Sequence, residues 1–100
     1  MKSLSFDEIG TLAGLTLVEF WSTSCHACVL AEPYLLTLEE AYKERCAIAK
    51  INVLEEAQVI DIYSIKILPT FILFKDANCL EKIEGFRNKD FIEKAIRSHL

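Results

Sequence analysis

The sequence predicts a single α/β domain over residues 1–100, a small central mixed β-sheet flanked by helices on both faces. Three observations predict it. Short runs of apolar and β-branched residues alternate with stretches of helical periodicity, the pattern of crossover units around a parallel sheet. The last two such runs, 70–74 and 79–83, are separated by little more than Asp76-Ala77-Asn78, so they close as an antiparallel hairpin. A hydrophobic content of 52% with 26% charged residues is that of a folded chain, and 100 residues suffice for one core.

Taken in order, residues 2–5 offer at most a short edge strand. Ser5-Phe6-Asp7-Glu8 has the form of a capping box, and a short helix over 6–13 follows, stopped by Gly14. Leu15 to Trp21 is almost continuously apolar, as a strand covered on both faces should be, with Glu19 the one interruption. Ser22-Thr23-Ser24 is a polar loop. A long helical pattern then runs from Cys25 to Arg45, with Leu30, Leu35, Leu38 and Tyr42 expected on one inward face and a kink expected at Pro33. Ala47 to Val53 is a second buried-type strand. Glu55 and Glu56 suit the start of a short helix over 57–63, since acidic groups favour the positive end of the helix dipole. After a loop over 64–68 come the two strands of the hairpin. Asn88 is placed to cap a last amphipathic helix over 89–100, with Phe91, Ile92, Ala95 and Ile96 inward.

Several function classes fall away on composition. A net charge of −4 with scattered Lys and Arg does not suit a nucleic acid backbone. No apolar stretch reaches the roughly 20 residues of a membrane span. The opening MKSLSFDEIG has no apolar run and does not read as a signal peptide, so a cytoplasmic protein with no membrane partner is expected; a monomer is expected as well. In a reducing compartment, four cysteines read as thiols, metal ligands or a working redox pair rather than a structural framework.

Cys25 and Cys28 stand two residues apart, after a buried strand and at the start of a long helix. The free amides and positive dipole of a helix start stabilise a thiolate, taking a cysteine pKa to about 7 or lower from about 8.5. Cys25 is then the exposed nucleophile, and Cys28, one turn inside, the resolving thiol. A metal reading stays open: Cys25, His26 and Cys28 are soft ligands, but a zinc site wants four and no second pair has the spacing. A redox-inert interaction module on the same fold is the third reading. Cys46 and Cys79 read as small core residues.

The stretch Glu19-Phe20-Trp21 followed by Cys25-His26-Ala27-Cys28 resembles the active site of the thioredoxin family. Pro33, the strand Ala49-Lys50-Ile51-Asn52-Val53, Leu68-Pro69-Thr70 and Gly85 are similar to further landmarks of that family and stand at its spacing from Trp21 to Gly85. The resemblance implies a thioredoxin-like fold and a thiol–disulfide oxidoreductase that reduces protein disulfides, needs no cofactor and is recharged by a reductase or dithiol donor. By the same resemblance it serves electron transport and cell redox homeostasis. It implies catalytic roles for Cys25, Cys28, Glu19 and Lys50, with Glu19 a buried acid relaying the Cys28 proton and Lys50 its partner. It also implies substrate contacts by Trp21, beneath the active-site loop, and by Leu68 and Pro69, with a cis bond between the last two. Family members usually carry Gly-Pro between the cysteines. Here His26 and Ala27 stand there and are expected to tune the redox potential, since stabilising the Cys25 thiolate makes the disulfide more oxidising.

Overall fold

The computed structural model describes residues 1–100. One five-stranded sheet runs through it, built from β1 (Lys2–Ser3), β2 (Leu15–Trp21), β3 (Ala47–Asn52), β4 (Thr70–Lys75) and β5 (Asn78–Glu84) in the spatial order β1-β3-β2-β4-β5. The first three strands in that order are parallel, while β4 runs antiparallel to β2 and β5 antiparallel to β4. The helices are α1 (Phe6–Ile9), α2 (His26–Tyr42), α3 (Gln58–Ile62) and α4 (Lys89–Ser98). The mixed sheet and the helices on both faces are as the sequence implies.

Side-chain alternation along the strands feeds two cores. Leu15 and Leu17 of β2, Ile48 of β3, and Phe71 and Leu73 of β4 meet Ala31, Leu35, Leu38 and Tyr42 of α2 and Ile92, Ala95 and Ile96 of α4. Their neighbours Val18, Phe20, Ile51, Ile72 and Phe74 point to the other face, against Ile9 of α1 and Val59 of α3. β2 is the middle strand, flanked by β3 and β4, which is why its residues are apolar on both sides.

Several elements end elsewhere than the sequence suggests, each for a local reason. α1 stops at Ile9 rather than running on to 13. The Thr11 hydroxyl donates to the Glu8 carbonyl at 2.7 Å, offering the backbone a turn in place of another helical bond. Gly14 instead makes the bend into β2 with φ +69°, and its amide donates to Asp76 Oδ1 at 2.8 Å. α3 starts only at Gln58, and Glu56 serves a different helix: its carboxylate accepts the Phe6 amide at 2.7 Å and so caps α1. The Glu8 carboxylate accepts the Ser5 amide at 3.0 Å, the expected reach-back of the capping box.

On α2 the inward row is Cys28, Ala31, Leu35, Leu38 and Tyr42, and Leu30 is 55% exposed, contrary to expectation. Steps of three and four from Cys28 select Ala31, whose small side chain brings the helix close to the sheet, and leave Leu30 a quarter turn outside. The helix runs on through Pro33, which is exposed and has no N–H to return to Val29. Phe91 is likewise 45% exposed, its ring lying under the Arg87 guanidinium at 4.9 Å instead of in the core. Cys46 is buried as expected. Cys79 is not: it sits on edge strand β5, where a bulge between Leu73 and Phe74 pairs Phe74 with Cys79 and leaves Leu80 without a partner. No helix is long and apolar enough to cross a membrane.

α4 begins as the sequence predicts, with Asn88 Oδ1 accepting the Phe91 amide at 3.0 Å. Asn88→Ala removes that acceptor and leaves the amide to solvent. The expected loss is about 1 kcal/mol, read as a lower urea midpoint at unchanged slope.

Candidate active site

Hydrophobic pairing carries β2 through the middle of the sheet and releases the chain at Trp21. Ser22 to Ser24 turn it back, with the Cys25 amide donating to the Ser22 carbonyl at 3.2 Å. Cys25 is the N-cap of α2, in extended conformation with φ −94° and ψ 104°. Its Sγ accepts the Cys28 amide at 3.2 Å, the place where Ser or Asp oxygen sits in an ordinary cap. The sulfur therefore lies on the unsatisfied amides and the positive end of a 17-residue helix.

Cys25 and Cys28 are joined as a disulfide, with Cα atoms 5.3 Å apart. Cys25 is half-buried and Cys28 only 3% exposed, so an incoming group meets the Cys25 sulfur first. His26 is exposed at the first helical position, and Ala27 beside it is half-buried.

Phe20 pairs with Thr70 across the β2–β4 ladder, so Leu68 and Pro69 enter β4 at the end of the sheet where β2 releases the chain to Cys25. The Leu68–Pro69 bond is cis, as the resemblance implies. The Thr70 hydroxyl donates to the Ile67 carbonyl at 2.7 Å, and the Gly85 amide donates to the Pro69 carbonyl at 2.8 Å. Together they fasten this bend from both sides. Gly85 itself has φ +83°, a conformation glycine accepts without strain.

Glu19 is 1% exposed in the middle strand, on the α2 face that Leu15 and Leu17 also occupy. Its Oε2 is sealed from solvent and no protein group hydrogen-bonds it. Burial, and then the nearby Glu32 charge, push its carboxyl up to about 7 from 4.5, with Lys50 pulling the other way. An apolar side chain here would contribute about 2 kcal/mol of burial, so a carboxylate in this place costs stability and points to chemistry.

Lys50 stands opposite Glu19 in the β2–β3 register but does not bond it. Its ammonium donates to both oxygens of Glu32, each at 3.2 Å, and lies 4.2 Å from the centre of the Trp21 ring. Trp21 is half-buried, its indole Nε1 shielded from solvent with no protein acceptor. Glu32 is the residue that sequence reasoning missed. The signal was present, an acid four positions after Cys28 on the helix side nearest β3, but nothing in one chain tells which cation it meets. Cys46, in the core, and Cys79, on the far edge strand, stand apart from the pair.

A family model described as Thioredoxin matches residues 2–98. Thioredoxins from several strains of Staphylococcus aureus, N315 and COL among them, are 33% identical over 88 residues, 88% of this chain and 85% of theirs. Among solved structures, a thioredoxin of Malassezia sympodialis superposes with a TM-score of 0.88 at 22% identity, covering 99% of this chain and 90% of that one.

Proposed function

The chain belongs to the thioredoxin family, and we propose that Cys25 and Cys28 are the redox centre through which it reduces protein disulfides. It is a thiol–disulfide oxidoreductase. The observation that carries the reading is the Cys28 amide donating to the Cys25 sulfur at the helix N-terminus, in a pair already able to close as a disulfide.

In the reduced protein the Cys25 thiolate attacks one sulfur of a substrate disulfide. The substrate S–S bond breaks, a mixed disulfide forms, and one substrate thiolate leaves and takes a proton from solvent. Cys28 then gives up its proton and attacks the Cys25 sulfur, which expels the second substrate thiolate. Two electrons have moved to the substrate and the protein is left oxidised. Glu19 is the group we assign to that second proton. A carboxyl titrating near 7 is partly ionised at neutral pH and can take it. A reductase or dithiol donor then reduces the Cys25–Cys28 bond by the reverse exchange.

Leu68 and Pro69, held at the same end of the sheet as the pair, are assigned to the substrate backbone, with Trp21 at the margin of the same surface. His26 and Ala27 set the potential: a protonated imidazole beside Cys25 favours the thiolate and makes the disulfide more oxidising. Lys50 acts through its charge on Glu19 and not as a bonded partner. The cellular reading is a cytoplasmic monomer passing electrons from its reductase to protein disulfides and so maintaining thiol balance.

The test equilibrates the protein, with Cys46 and Cys79 replaced by Ala, in graded glutathione or dithiothreitol buffers. The expected result is a two-electron transition between free thiols and the Cys25–Cys28 disulfide, with a midpoint between about −270 and −180 mV. Failure to form the intramolecular disulfide at any poise, or stoichiometric metal in protein purified without added metal, overturns the reading.

A further inference from the structure

Glu19 and Lys50 face each other across the β2–β3 ladder on the side covered by α2. An ammonium beside a buried, otherwise unbonded carboxyl is expected to close on it. Here it does not. Lys50 is drawn away to Glu32, which holds it through both carboxylate oxygens at 3.2 Å, while the Trp21 ring supports it from another side at 4.2 Å. Glu32 is partly exposed, with 38% of its side chain accessible against 15% for Lys50, so the pair opens toward solvent.

We propose that Glu32 is a positioning residue of the redox site, anchoring the Lys50 ammonium off Glu19 so that the buried carboxyl stays free to exchange a proton with Cys28. Without it, Lys50 would settle on Glu19 and hold it as the ionised half of an ion pair. The inference rests on the dithiol reading above and specifies the charges that surround its proton carrier. Those charges are few. β3 brings Lys50, and α2 brings Glu32 and Cys28. Phe71 of β4 faces Glu19 with no charge, and the inward residues of α4 are apolar. Burial and the Glu32 charge both raise the Glu19 carboxyl, and Lys50 opposes them, which agrees with this arrangement. In the exchange, Cys28 loses its proton as it attacks the Cys25 sulfur, and the Glu19 carboxylate becomes a carboxylic acid. The proton returns to Cys28 when the disulfide is next reduced.

The test follows the carboxyl carbon of Glu19 by NMR across pH in the oxidised protein. It compares the natural sequence, Glu32→Gln, Lys50→Met and the double variant, with Glu32→Ala as a second variant should Glu32→Gln fold poorly. In Glu32→Gln the midpoint is expected to fall by about 1 pH unit or more, as Lys50 moves to Glu19. In the Lys50→Met background the same substitution is expected to move it by less than half as much. An unchanged midpoint in Glu32→Gln overturns the proposal. So does an equal fall in both backgrounds, which would mean that Glu32 acts by its own charge alone. Because the titration needs no turnover, it is independent of whether the pair reduces disulfides, which the redox equilibration decides.

Discussion

Cys25→Ser is expected to lower the turnover of protein disulfides by about a thousandfold or more while leaving the melting temperature of the reduced protein almost unchanged. The hydroxyl fills the same cap and accepts the same Cys28 amide, so the helix start survives. What is lost is the nucleophile: at neutral pH serine has no thiolate equivalent to attack sulfur. Cys28→Ser separates the two halves of the cycle. With Cys25 left to attack and no thiol to release it, a mixed disulfide with the substrate is expected to accumulate and to be read as added mass. Burial of Cys28 at 3% exposure keeps it from substituting as the attacking group. Turnover that persists in Cys25→Ser would assign the activity to Cys28, or to Cys46 or Cys79, and would overturn the division of labour between nucleophile and resolving thiol.

The features legible in the sequence were those written in local pattern. β2, β3 and β4 announce themselves as apolar runs because each is covered on both faces. The N-cap of α4 and the reach-back of Glu8 onto Ser5 follow from residue types three positions apart. The cysteine pair could be placed at a helix start because a polar loop and a long periodic stretch bracket it. The features that were not legible depend on partners distant in sequence. Glu56 looks like the start of α3, yet it caps α1 fifty residues earlier, a bond that only the fold brings about. Lys50 looks like the partner of Glu19, and their register is indeed opposite, but the competing carboxylate comes from α2. Phe91 and Cys79 are apolar or small by type, and type alone does not say that one lies under an arginine and the other on an edge strand. In each case propensity named the residue's preference and tertiary competition chose the partner.

Glu19→Gln is expected to change the pH dependence of stability by about 3 kcal/mol between pH 4 and pH 8, and the direction follows from linkage. Burial raises the Glu19 carboxyl in the folded protein to about 7 from 4.5. A raised carboxyl holds its proton more tightly when folded than when unfolded. Below about pH 4.5 both states are protonated and the site carries no ionisation cost. As pH rises from 4.5 toward 7, the unfolded chain has released a proton that the folded one still holds, and stability falls by about 1.4 kcal/mol per unit. Above about 7 both are ionised and the full loss of roughly 3 kcal/mol is present. Glutamine occupies the same space and does not titrate, and its buried amide lacks partners as the neutral Glu19 carboxyl does, a cost of about 1–3 kcal/mol in either protein. The variant is therefore expected to be close to the natural protein in stability at pH 4 and the more stable one at pH 8. The span between those differences, read from urea unfolding at pH 4, 6 and 8, is independent of the amide cost. A difference that stays constant with pH would show that Glu19 titrates as an ordinary carboxyl, and the proton-carrier role would fall with it. A span near 3 kcal/mol would mean that the fold retains a carboxyl it would be more stable without at working pH, which is the signature of a group kept for its proton and not for packing.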